Sequence, residues 1–240
     1  MILAEPSLNF RPHHTPFPAL RHHASARMIV QERSPNMLEA INLECQRGER
    51  RLFSGIAFRL AGGELLHVQG RNGAGKTSLL RIVLGLTPPA AGNIHWQGRP
   101  INDLAEDYRA QLCYLGHHSA VKDELTALEN LRINTWLADD SLSEAQAVDA
   151  LAQVGLAGRE DLPAKFLSQG QKRRVALARL VHERRPLWVL DEPFVALDSV
   201  AVDLVAGLLG GHLQGGGMVV LTTHQLVNIP AGQIRELVLQ

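Results

Sequence analysis

The chain has 240 residues, the size of one large α/β domain or of one carrying a subdomain, and 45% of them are hydrophobic, enough for a real core. Its 24 basic and 24 acidic residues cancel, so the sequence carries no electrostatic footprint for nucleic acid. Apolar runs such as Met218-Val219-Val220-Leu221 are strand-sized, far short of a membrane span.

Residues 1–36 do not read as domain. Pro6, Pro12, Pro16, Pro18 and Pro35 break any periodicity, and His13-His14 and His22-His23 come in pairs. No apolar segment marks a secretory signal. The stretch reads as a disordered extension or as the product of a start placed too far upstream; a scattered metal-binding tail is the alternative. Met37 looks like a natural beginning, because regular alternation starts there.

From Leu38 to Cys45 the pattern is that of a strand. Arg47-Gly48-Glu49-Arg50 reads as a hairpin turn, Leu52 to Leu60 as the return strand, and Ala61-Gly62-Gly63-Glu64 as a second turn. Glu64 to Gln69 predicts a strand and Ser78 to Leu84 a helix. After the break at residues 88–92 come a short strand and turn (Asn93 to Gly98) and a further short edge strand. Asp103 to Ala110 predicts a helix and Gln111 to Leu115 a buried strand. Residues from Leu125 to about Val154 are helical: Thr126 with Glu129, and Ser143 with Gln146, have the spacing of capping boxes. The region from Gly155 to Leu167 reads as loop. A long helix follows, then a buried strand (Leu187 to Leu190), a helix from Ser199, a last buried strand (Met218 to Leu221) and a closing strand (Ile234 to Leu239). Cys45 and Cys113, far apart and strand-borne, read as reduced core thiols of a cytoplasmic protein rather than a disulfide or metal pair.

Between the predicted strand and helix lies Gly70-Arg71-Asn72-Gly73-Ala74-Gly75-Lys76-Thr77, a G-x-x-x-x-G-K-T phosphate loop. Its glycines let successive N–H groups point inward at an anion, and the helix that follows turns its N-terminal dipole on the same spot. Lys76 is placed to bridge phosphates and Thr77 to ligate Mg²⁺. The apolar strand ending in Asp191-Glu192 supplies the acids such a site needs: Asp191 for Mg²⁺ and Glu192 to polarise an attacking water. Leu167-Ser168-Gln169-Gly170-Gln171 opens a helix carrying Lys172, Arg173 and Arg174. Ser168 serves as N-cap of a surface helix, or the Ser hydroxyl, Gly backbone and helix N-terminus form a second anion site, which implies a partner's nucleotide.

From Met37 onward the order of these motifs resembles the ATP-binding cassette (ABC) ATPases: phosphate loop, helical insert, L-S-x-G-Q signature, strand with Asp-Glu, Ala196-Leu197-Asp198, then His224. The resemblance implies an α/β P-loop ATPase core with an antiparallel β subdomain and an inserted helical subdomain over about residues 118–180. It implies ATP and Mg²⁺ as ligands, bound by Gly70, Asn72, Gly73, Gly75, Lys76, Thr77, Ser78 and Asp191. It also implies a head-to-tail homodimer in which Ser168, Gly170 and Gln171 of one copy face the nucleotide of the other, with Asp198 at the seam and His224 holding Glu192 and the water.

A narrower resemblance, carried by Leu125 to Leu131, Gln169 to Leu180, Leu187 to Phe194 and Leu221 to Gln225, is to the CcmA-type ATPases of c-type cytochrome maturation. It implies work at the cytoplasmic face of a bacterial inner membrane with a CcmB-like permease and CcmC- and CcmD-like subunits. There, ATP hydrolysis would be coupled to haem export or to release of the haem-loaded chaperone CcmE. The same motifs would suit the ATPase of another small-molecule ABC transporter. Three positions depart from the common ABC pattern. Leu115-Gly116-His117-His118 replaces the usual Gln at the end of the strand before the insert; His117 takes that place, and an imidazole cannot copy an amide. Arg47 occupies the position of the adenine-stacking aromatic, where a guanidinium plane can stack. Gln169 replaces a Gly of the signature, leaving Gly170 for close approach.

Overall fold

The computed structural model describes residues 37–225, 227–230 and 233–240; the readings of residues 1–36 fall outside them. Two sheets organise these residues. The first is antiparallel, in the order β2 (Arg50–Ala61), β1 (Met37–Arg47), β4 (Ala91–Trp96), β5 (Arg99–Pro100). Alternation along β1 buries Leu38 and Ala40, then changes phase and buries Leu43 and Cys45. The phase changes where the register slips between Ala40 and Leu43, beside Asn42 at φ 49°.

The second sheet is parallel, in the order β6 (Leu112–Leu115), β7 (Leu187–Asp191), β8 (Met218–Thr222), β3 (Glu64–Gly70), β9 (Gln233–Leu239). Every residue of β7 and β8 is buried, as expected of parallel strands covered on both faces. One face is covered by α1 (Lys76–Val83), whose Leu79, Leu80, Ile82 and Val83 share a core with Leu38, Leu60 and Ile94 of the antiparallel sheet and Val68, Val189 and Val220 of the parallel one. The opposite core joins Leu177 and Leu180 with α7 (Ser199–Gln214) through Val205 and Leu209, against Leu65, Leu190, Val219 and Leu221. A third cluster lies among α4 (Ala127–Trp136), α5 (Glu144–Gln153) and α6 (Gln169–Ala178), through Leu131, Leu151 and Val175. Both expected capping boxes form at α4 and α5, and a third at α6, where Ser168 and Gln171 bond reciprocally.

The single helix expected from Asp103 to Ala110 is two short ones, α2 (Ile101–Leu104) and α3 (Glu106–Arg109). Ala105, at φ 42°, ψ −103°, interrupts them, and nothing in its neighbours marks the break. The chain still buries Ile101 and Tyr108, whose hydroxyl donates to the Val83 carbonyl at 2.7 Å. Both cysteines are free and buried; burial pushes the Cys113 thiol up to about 12. No described helix is long and apolar enough to cross a membrane.

Candidate active site

In open parallel sheets, ligands bind beyond the carboxyl ends of the strands. Here that edge carries Gly70 at the end of β3, Asp191 at the end of β7 and Thr222 at the end of β8. Beside them lies a cavity of about 720 Å³ whose walls include Asn72, Gly73, Gly75, Lys76, Thr77 and Ser78 together with Asp191, Glu192 and His224; Gly70 and Thr222 are not among the described residues lining it. Arg47, Arg50, Leu52 and His117 close its sides.

The phosphate loop has its shape because Gly75 caps α1 in the left-handed region, at φ 101°. A Cβ there would stand 3.0 Å from the Phe53 ring and 3.2 Å from Leu52 Cβ, so the position has neither the backbone freedom nor the space for a side chain. The result is a cradle of N–H groups over a helix start. Lys76 Nζ reaches back to donate to the Gly70 carbonyl at 2.8 Å and lies 3.3 Å from His224 Nε2.

The acids sit in a hydrogen-bonded chain. Thr77 Oγ1 donates to Asp191 Oδ2 at 3.0 Å, and Thr222 Oγ1 donates to Asp191 Oδ1 at 2.7 Å. Glu192 N–H donates both to Thr222 Oγ1 at 3.0 Å and to the Thr222 carbonyl at 3.1 Å. The Glu192 backbone is in the left-handed region, at φ 50°, which is uncommon for a residue with a side chain. Its carboxylate is 3.5 Å from His224 Nε2. A hydroxyl and a carboxylate side by side offer the hard oxygen donors that Mg²⁺ prefers. A carboxylate beside an imidazole, across from a lysine and an anion cradle, can accept a proton from water held against a bound phosphate.

Arg47, Gly73, Gly75, Lys76, Thr77, Ser78, Asn72, Asp191, Glu192 and His224 are thus brought to one cavity, as is His117. Ser168, Gly170, Gln171 and Asp198 are not among the described residues lining it. Ser168 and Gln171 cap α6, and Asp198 caps α7 by accepting from Ala201 N–H at 2.8 Å. Gly170 is needed within this chain: a Cβ there would lie 2.5 Å from the Ala196 carbonyl oxygen.

Two residues of consequence were not legible from motifs. Thr222 ties both acids together. Arg173, one of the three basic residues on the helix that Ser168 opens, is 4% exposed and bonded to the backbone carbonyls of both acids. Burial lowers the pKa of its guanidinium, and the nearby Asp191 and Glu192 act in the opposite sense. The signal was periodicity: Arg173 lies four residues before the buried Leu177, on the inward stripe of α6.

The fold and the cavity define an ATP-binding cassette, and comparison with known proteins agrees. The family model described as ABC transporter matches residues 53–195. Among curated proteins, the cytochrome c biogenesis ATP-binding export protein CcmA of Dechloromonas aromatica is 70% identical over 84% of this chain and 98% of its own length. The proteins of the same name from Nitrosomonas europaea and Escherichia coli K12 are 56% and 49% identical, covering 85% and 84% of this chain and 95% of their own lengths. Among solved structures, a dimeric bacterial ABC transporter cassette superposes with a TM-score of 0.71 at 25% identity, covering 84% of this chain and 94% of its own. An ABC transporter ATP-binding protein from Pyrococcus furiosus gives a TM-score of 0.71 at 24% identity, over 84% and 97% of the two chains. The chain belongs to the ABC transporter ATPases and, within them, to the CcmA family of cytochrome c biogenesis ATP-binding export proteins.

Proposed function

We propose that the chain is the ATP-hydrolysing subunit of a membrane complex of c-type cytochrome biogenesis, working as a head-to-tail homodimer. The observation that carries the catalytic part is the convergence of Lys76, Thr77, Asp191, Glu192 and His224 on one cavity.

In this reading the N–H groups of residues 70–77 and Lys76 hold the β- and γ-phosphates, and Arg47 stacks on the base. Thr77 and Asp191 hold Mg²⁺, which when bound neutralises phosphate charge. Glu192 takes the proton of a water attacking the γ-phosphorus, and His224 orients that carboxylate. Ser168, Gly170 and Gln171 complete the partner copy's site, with Asp198 at the seam. A dimeric cassette bound to ADP and Pi is among the solved relatives, at 25% identity and a TM-score of 0.68, and it supports this arrangement.

The three-helix unit, about residues 118–180, together with the stretch from His117 to Val121, forms the face that a CcmB-like permease engages, with CcmC- and CcmD-like subunits alongside. In this reading the chain works at the cytoplasmic face of the inner membrane, where its cycle drives haem export or release of the haem-loaded chaperone CcmE. His117 senses the nucleotide state there in place of the usual Gln. The names carried by the 70%, 56% and 49% identical relatives support the pathway.

The test is Glu192→Gln. It keeps the side chain's size and removes its basicity, so ATP should still bind, turnover should fall by at least about 100-fold, and a closed dimer should accumulate on size-exclusion chromatography. Turnover at the wild-type rate would contradict the assignment.

A further inference from the structure

Arg173 spends its whole hydrogen-bonding capacity on backbone carbonyls, three of them at the two acids and the residue after them and two at Gly116 and His117. A guanidinium has five N–H groups. Here Nε donates to the Pro193 carbonyl at 3.2 Å. Nη2 donates to the carbonyls of Asp191 at 3.1 Å and Glu192 at 2.9 Å. Nη1 donates to the carbonyl of Gly116 at 2.9 Å and reaches that of His117 at 3.4 Å. Five donors meet five carbonyls, drawn from the two loops that leave β6 and β7.

The backbone so held is strained. Glu192 sits at φ 50°, a conformation that persists only where its surroundings over-determine it. Thr222 fixes the N–H side of Glu192 and Arg173 fixes its carbonyl side. Arg173 itself is fixed by α6, the helix that Ser168 and Gly170 open, and Gly170 packs on the Ala196 carbonyl just beyond the same acids.

We infer that Arg173 is a positioning residue for hydrolysis: its guanidinium holds the backbone from Asp191 to Pro193, and with it the Glu192 carboxylate, in register with helix α6 and with the loop at Gly116-His117. It does not line the nucleotide cavity. It therefore acts on turnover and not on nucleotide affinity. The inference rests on Glu192 being the group that activates water.

Arg173→Met keeps the apolar stem and removes all five donors; Arg173→Lys keeps the charge at a single point that can reach only some of the carbonyls. Steady-state ATPase is measured on the full-length chain, alone and in the membrane complex with which it purifies. Binding of a fluorescent ATP analogue, ATP-induced dimerisation and thermal melting are measured alongside, with Glu192→Gln in parallel. For Arg173→Met the expected result is a kcat lower by about 100-fold, the scale of an ångström of misplacement. KM and analogue affinity should stay within about twofold, since no cavity contact is lost, and the closed dimer should accumulate. Arg173→Lys should fall between Met and wild type. An unchanged kcat in folded Arg173→Met, or a raised KM with kcat intact, would overturn the inference. If Arg173→Met does not fold, Arg173→Lys decides: reduced kcat at constant KM supports the role, and wild-type kcat removes it. An active Glu192→Gln would sink the reading of Glu192 on which the inference rests. An inactive Glu192→Gln beside a fully active Arg173 variant would sink this inference alone.

Discussion

Replacing Thr222 by Val tests whether the acids are held as described. Thr222 is fully buried, and its hydroxyl does two things. It donates to Asp191 Oδ1 at 2.7 Å and accepts from Glu192 N–H at 3.0 Å. Valine has the same outline, so no cavity forms. Glu192 N–H keeps its second acceptor, the Thr222 carbonyl at 3.1 Å, and is not orphaned. Asp191 keeps Thr77 on Oδ2 but loses a charge-assisted bond on a carboxylate that is 3% exposed. The cost is therefore about 2 kcal/mol, a fall of about 4–8 °C in melting temperature for a chain of this size. Thr222→Ser keeps both hydrogen bonds and loses one methyl, about 1 kcal/mol. Urea unfolding followed by circular dichroism measures both. A Thr222→Val variant within about 0.5 kcal/mol of wild type, or a Ser variant less stable than Val, would contradict this role of the hydroxyl.

Gly170→Ala would drive a Cβ to 2.5 Å from the Ala196 carbonyl, on a segment where Ala196 is already left-handed at φ 64°. Turnover should drop by about tenfold or more while the single chain still binds a fluorescent ATP analogue, because Gly170 lies outside the cavity of its own chain; wild-type turnover would show that the contact yields freely. The Glu64–Arg235 pair joins β3 to β9 through two hydrogen bonds, at 2.7 and 2.9 Å, and holds the Glu64 carboxyl below its ordinary range. Arg235 is half exposed, so Arg235→Gln should cost only about 0.5–1 kcal/mol in low salt and less in high salt. A lowered carboxylate pKa stabilises the fold above its unfolded value and ceases to do so as pH falls through the folded one. The difference between wild type and Arg235→Gln in urea should therefore vanish on acidification, and a gap that widens in acid would contradict the pairing.

Much of the architecture was legible because its signals are local. β7 and β8 are buried on both faces, and their unbroken apolar runs say so. Thr126 with Glu129 and Ser143 with Gln146 mark helix starts because a cap needs only three residues to close. The phosphate loop was legible because anion binding by backbone demands glycines at fixed spacing. The roles of Arg173 and Thr222 carry no motif, because they come from partners 18 to 57 residues away that meet only in the fold. The same is true of Gly170: its signature role is read from the motif, while its contact with Ala196 depends on where two loops pass. The break at Ala105 left no trace, since alanine favours a helix.

The most direct test of the central claim is a haem stain of c-type cytochromes in cells lacking this gene, complemented with wild type or with Glu192→Gln. Loss of c-type but not b-type cytochromes, restored by wild type and not by Glu192→Gln, is the predicted result. Normal c-type cytochromes in the deletion, with no second copy of the gene present, would contradict the role in cytochrome biogenesis.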